Sequence, residues 1–205
     1  MRESSRDICT RTCSKRSGID EFRLPIADFK STIENPKSKI ERAPKGMKEN
    51  RWPKLRPASN NDCEKVTSLV YGVLAEYNLK PDPQATDADL SDIEHFYFGR
   101  GGIFYVLQEK DGSIIGAYGL YPIDQEICEL RKMYLHRSYR GKGWGKFLLE
   151  HALSQARKLH FKRITLETAS VLKEAINLYK SYGFAEYQPE HLSCRCDQAY
   201  VLELK

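Results

Sequence analysis

The residues best suited to chemistry lie in one stretch, Leu135-His-Arg-Ser-Tyr-Arg140-Gly-Lys-Gly143-Trp-Gly145-Lys-Phe147. Glycines at 141, 143 and 145 let the backbone turn sharply and approach a ligand without a Cβ clash. The stretch opens into an apolar-striped segment that reads as a helix. The free amides and positive dipole end of such a helix suit a phosphate or pyrophosphate. Arg140, Lys142 and Lys146 add positive charge at the same place. Two familiar phosphate loops are excluded by spacing. A Walker loop needs Ser or Thr after its lysine, and Lys146 is followed by Phe147. A dinucleotide loop needs Gly-x-Gly-x-x-Gly at the start of the fold, whereas these glycines alternate in its middle. A second chemical cluster, His191, Cys194 and Cys196, invites a metal reading. Cys-x-Cys lacks the usual Cys-x2-Cys spacing and a second pair, so no metal is expected.

These residues need elements to position them. Lys54–Arg56 reads as a short strand edged by Pro57. Ser59 with Asp62 three residues on signals a helix start. Val66, Leu69, Val70, Val73, Leu74 and Tyr77 then fall on one helical face. Asp89–Phe98 reads as a second helix, ended by Gly99-Arg100-Gly101-Gly102. Strands follow at Ile103–Gln108 and Ile114–Tyr121, joined by the turn Lys110-Asp111-Gly112-Ser113, and then at Ile127–Leu135. Gly143–Leu159 is a strong helix, Arg163–Thr168 a strand, Leu172–Tyr182 a helix closed by Gly183, and Ala199–Leu204 a last strand. The order β-α-α-β-β-β-α-β-α-β implies an α/β chain with a mixed sheet flanked by helices.

Composition narrows the functional class. Of the net charge of +5, residues 1–54 carry +6, with 14 Lys or Arg against 8 Asp or Glu; the remainder is close to neutral. Residues 1–50 lack sustained periodicity and read as a disordered or loosely ordered basic extension, with the folded domain at 51–205 and order beginning near Trp52. Met47 is a candidate start. No aromatic stacking pattern interleaves with the basic residues of this segment, which argues against a nucleic-acid partner. No apolar run is long enough to span a membrane, so no membrane partner is expected. The N-terminus has no apolar core of a secretory signal, and six cysteines without one suggest a reducing, cytoplasmic setting.

Arg140-Gly-Lys-Gly143-Trp-Gly145 resembles the acetyl-CoA signature of the GNAT superfamily of N-acetyltransferases, Arg/Gln-x-x-Gly-x-Gly/Ala. Ala175-Ile-Asn-Leu178-Tyr179-Lys-Ser-Tyr-Gly183-Phe184 is similar to a second signature of that superfamily, at the customary separation. The resemblance covers residues 52–205. It implies a GNAT-like acyl-CoA N-acyltransferase fold with a mostly antiparallel central sheet, acetyl-CoA as co-substrate, and a primary amine as acceptor. The acceptor's identity stays open among amino acids, polyamines, small molecules and protein lysines, as does the choice between monomer and homodimer.

The resemblance also implies roles. The backbone of Met133, Tyr134 and Leu135 would pair with the pantetheine arm. The amides of Gly141, Lys142, Gly143, Trp144, Gly145 and Lys146 would hold the pyrophosphate beside Arg140. Tyr179 would protonate the leaving thiolate, and Glu129 is the candidate base, with ordered water as the alternative. Strand alternation is expected to put Glu129 and Leu135 on one face. Arg195 and Asp197 would meet the acceptor. Leu172 departs from the family's asparagine seven residues before the tyrosine, and Asn177, two positions off on the helix, points elsewhere. A non-catalytic acyl-CoA-binding or regulatory domain is the competing reading.

Overall fold

The computed structural model describes residues 53–205. The expected N-terminal extension, Met47 and the onset of order at Trp52 lie outside the described residues.

Among the described residues seven strands form one sheet. They are β1 (Lys54–Pro57), β2 (Ile103–Gln108), β3 (Ile114–Pro122), β4 (Ile127–Leu135), β5 (Arg163–Thr168), β6 (Ala185–Tyr187) and β7 (Gln198–Glu203). Their spatial order is β1-β2-β3-β4-β5-β7-β6, and only the β4–β5 pair is parallel. β6 is absent from the expected elements because three residues are too few to display alternation. The helices are α1 (Cys63–Glu76), α2 (Ile93–Phe96), α3 (Trp144–Lys158) and α4 (Lys173–Ser181).

Each face of the sheet has its own core. Val66, Leu69, Val70, Val73 and Leu74 of α1 pack with Ile93, Phe104, Val106 and Ala117. On the other face Leu148, Leu149, Ala152, Leu153 and Ala156 of α3 pack with Cys128, Leu130, Ile164, Leu166 and Tyr179. The start of α1 follows the capping-box expectation: Ser59 and Asp62 satisfy each other's backbone and side chain before the helix proper. Gly183, at φ 87°, closes α4, and Phe184 folds back with its ring 5.7 Å from that of Tyr179.

The expected helix over Asp89–Phe98 is instead a broken segment. A 3-10 turn at Ala88–Leu90, the four-residue α2 and a second turn at Phe98–Arg100 replace it. Asp92 accepts a hydrogen bond from the His95 amide at 2.9 Å, which starts a new helix at Ile93. Asp89 turns inward to accept from the Tyr97 hydroxyl at 2.6 Å.

A bulge in β4 matters most for the site. Between the pairs Ala117–Tyr134 and Gly119–Arg131, β3 advances two residues and β4 three. Lys132 takes φ 51° within that step. One inserted residue reverses the alternation of side chains beyond it. Cys128 and Leu130, before the bulge, and Met133 and Leu135, after it, all pack on the α3 face. Glu129 and Arg131 point to the opposite face, where Arg131 lies over the Tyr121 ring. The expectation that Glu129 and Leu135 share a face is therefore corrected.

Candidate active site

Strand β4 pairs with β5 only from Ile127–Arg163 to Glu129–Thr165. Beyond that point the strands part, while β5 stays paired with β7 through Thr168. The parting leaves one edge of Leu130–Leu135 without a strand partner and opens a cleft of about 2480 Å³ between the sheet halves. An unpaired strand edge is a template for an extended, amide-bearing ligand.

The glycine loop closes one end of this cleft. Gly143 stands at the N-cap of α3 with φ 86° and no side-chain cap, a conformation that favours glycine. The Phe147 amide is the first in α3 to donate to the preceding backbone, to the Gly143 carbonyl at 3.0 Å. The amides of Trp144, Gly145 and Lys146 are thus left for a ligand. A Cβ built at Gly141 would meet nothing within 4 Å, so the loop is open on that side.

Arg140 fastens the loop. Its Nε donates to the Leu135 carbonyl at 2.9 Å, and its Nη1 to Glu76 at 2.7 Å. Nη2 is buried without a partner among the described residues. That orphaned donor, with the free amides of α3, fits a pyrophosphate. Arg140, Gly141, Gly143, Gly145 and Lys146 line the cleft. Trp144 and Lys142 do not. Trp144 is buried against Phe147, so only its backbone is available. Lys142 donates to the Ser138 carbonyl at 2.8 Å.

Met133, Tyr134, Leu135 and Tyr179 meet further along the same cleft. Burial pushes the Tyr179 phenol well above its usual value, with Tyr134 adding to the effect. It therefore stays protonated through the neutral range, and no protein group among the described residues bonds its hydroxyl. Burial pushes the Tyr134 phenol up to about 12 against the nearby Arg195 guanidinium. Leu172, at the family's asparagine position, also borders the cleft, while Asn177 is exposed on another side of α4.

The end of the cleft away from the glycine loop is built by β4 and the segments above it. Glu129 Oε2 accepts from Arg131 Nε at 2.8 Å and from Nη2 at 2.5 Å. The Arg131 guanidinium in turn lies 3.9 Å from the Tyr121 ring centre. Arg195 borders the cleft but is tied to Asp87 by two bonds of 2.6 and 2.7 Å. Asp197 accepts from the Ser170 amide and hydroxyl at 2.7 and 2.6 Å and is not on the cleft wall. It shapes the turn after β5. Asp87 was not among the sequence candidates. Its only link to Arg195 is through space, 108 residues apart. Burial pushes the Cys196 thiol up to about 12, so it remains a thiol. Among the described residues no three His, Cys, Asp or Glu side chains are grouped to hold a metal.

Comparison with known proteins agrees with this geometry. Residues 69–184 match the model of the acetyltransferase (GNAT) family. The chain is 39% identical over 137 residues to an uncharacterized N-acetyltransferase, YjgM, of Escherichia coli K12, covering 64% of this chain and 81% of that one. An acetyltransferase structure of the GNAT family from Staphylococcus aureus superposes with TM-score 0.68 at 25% identity, over 74% of this chain and 99% of that one. A phosphinothricin acetyltransferase from Sinorhizobium meliloti, solved in complex with AcCoA, superposes with TM-score 0.59 at 20% identity, over 74% and 88% of the two chains. The chain belongs to the acetyltransferase (GNAT) family and is an N-acetyltransferase of that fold.

Proposed function

We propose that this enzyme transfers an acetyl group from acetyl-CoA to a primary amine by direct attack. Acetyl-CoA supplies an acyl group activated as a thioester. The observation that carries the reading is the union, in one cleft, of the free α3 amides, the unpaired edge of β4, Tyr179 and Glu129. A structural neighbour with the same fold was solved with AcCoA.

In this reading the α3 amides and Arg140 hold the pyrophosphate, and Leu130–Leu135 aligns the pantetheine arm. Glu129 takes a proton from the acceptor's ammonium, directly or through water, because only the neutral amine has a lone pair to attack with. The new N–C bond forms as the C–S bond breaks, and the second proton on the nitrogen passes to water. Tyr179 gives its proton to the departing sulfur and regains one from solvent. Free thiol release on mixing the enzyme with acetyl-CoA and a panel of primary amines tests the reading. Acetyl-CoA binding without acetylation of any amine would favour a non-catalytic acyl-CoA-binding domain.

A further inference from the structure

Most charged groups around the acceptor end already have partners. Arg195 and Lys132 are both bound to Asp87. Glu167 accepts from the Ser193 amide at 2.9 Å and from its hydroxyl. Arg163 is paired with Glu203 at 3.5 Å. The Glu129–Arg131 pair differs. Both donors of Arg131 fall on the same oxygen, Oε2. This leaves Glu129 Oε1 and Arg131 Nη1 without a partner among the described residues, and neither is sealed from solvent. Both residues line the cleft. An unengaged carboxylate oxygen and an unengaged guanidinium edge thus stand side by side on one strand. Arg100, whose guanidinium lies 5.8 Å from the Tyr121 ring centre, adds positive charge on the same wall.

From this juxtaposition we infer that the acceptor is an α-amino acid, its ammonium on Glu129 and its carboxylate on Arg131. The inference rests on the acetyltransferase reading above. The two charged groups of an α-amino acid are separated by one carbon, which suits recognition by adjacent opposite charges. A carboxylate on guanidinium forms a charge-assisted hydrogen bond with a planar match. The Arg131 side chain is partly shielded, 22% exposed and packed on Tyr121, where such a bond is stronger than in bulk water. A polyamine or a lysine side chain would bring further positive charge, or an uncharged backbone, against Arg131 and Arg100. Arg131 is therefore assigned as a specificity-determining residue. Phe96, Ile123 and Ile127, which line the same part of the cleft, would face the amino acid's side chain.

The test uses the full chain with acetyl-CoA and matched acceptors: amino acids, the same amino acids as amides, and the corresponding decarboxylated amines, with spermidine and a lysine peptide alongside. Each amino acid is expected to exceed its decarboxylated amine in kcat/KM by ~10–100-fold, the usual weight of a hydrogen bond to a charged group. Arg131→Gln should collapse that ratio to about 1, whatever it does to kcat through Glu129, with the loss in KM for the amino acid. Arg131→Lys should restore part of it. Preference for a decarboxylated amine, spermidine or the peptide overturns the inference. So does an Arg131→Gln variant that slows both acceptor classes alike. Acetyl-CoA that binds by calorimetry without acetylation of any amino acid also overturns it, leaving the cofactor reading intact. Absence of acetyl-CoA binding would instead strike the proposed function itself.

Discussion

Lys132, held at φ 51° in the β4 bulge, places its ammonium 2.7 Å from Asp87 Oδ1, and both side chains are almost wholly buried. The same ammonium donates to the Thr86 carbonyl at 2.6 Å and lies 3.2 Å from Asp89. Arg195 grips Asp87 from the other side. Three segments far apart in the chain are thereby joined beside the cleft: residues 82–90, the bulge, and the loop before β7.

Burial alone would raise the Asp87 carboxyl, but Arg195 and Lys132 outweigh it and hold the group at about 2, against 3.8 unfolded. A carboxyl with a lowered folded value stabilises the fold above the unfolded value. That contribution is lost as pH falls from about 4 to about 2, and amounts to about 2 kcal/mol. Asp87→Asn leaves two buried cations undercompensated. It should cost about 3–5 kcal/mol in urea denaturation at pH 7.

His151 gives a second, earlier acid window. Its Nδ1 shares a hydrogen bond of 2.6 Å with the Tyr118 hydroxyl, and burial, aided by Lys158, lowers it from 6.5 to about 4. A histidine kept neutral in the fold loses stability to the unfolded chain as pH drops from about 6.5 to about 4, by about 3 kcal/mol in all. In His151→Gln, thermal unfolding should lose much of its slope across that range. An unchanged slope would place the acid sensitivity elsewhere.

Gly143→Val tests the loop. The φ of 86° costs a β-branched residue about 1–2 kcal/mol, which a domain of ordinary stability survives. Acetyl-CoA affinity should fall by ~10²-fold or more, since misdirecting even one or two amides from a charged group has that effect. Gly145→Ala is the control, because its new Cβ would meet only Leu178, at an ordinary 3.7 Å. Calorimetry with undiminished affinity in folded Gly143→Val would refute the phosphate-loop assignment.

Tyr179→Phe removes a hydroxyl that bonds no protein group among the described residues and keeps the ring's packing on Phe184. Melting temperature and acetyl-CoA affinity should hardly move. Turnover should fall by ~10²–10⁴. Near-wild-type turnover would show that the sulfur leaves unaided or takes its proton from another donor.

For Glu129→Gln, the loss in turnover should deepen as pH is lowered, because a larger share of the acceptor is then protonated and needs a base. A loss independent of pH would assign proton removal to ordered water.

Much of this architecture was legible because it depends on local chemistry. The glycine loop, the stripe from Leu148 to Ala156 and the Gly183 stop record what the backbone needs within a few residues. Repetition at helical or strand spacing then marks which faces are buried. β6 is too short to repeat, and the Asp89–Phe98 segment breaks because Asp89 and Asp92 satisfy tertiary and capping bonds that apolar spacing does not record. The bulge had the largest consequence. Lys132 takes a positive φ where its ammonium meets Asp87, 45 residues earlier, and that single step reverses the face of everything after it. The sequence alone thus determined the fold class and the glycine-rich turn that opens α3. Only the tertiary structure decided that Glu129 stands apart from Leu135 and that Arg195 is bound to Asp87. Ion pairs between distant segments leave no spacing in a chain, since they are specified by the closed sheet and not by neighbours in sequence.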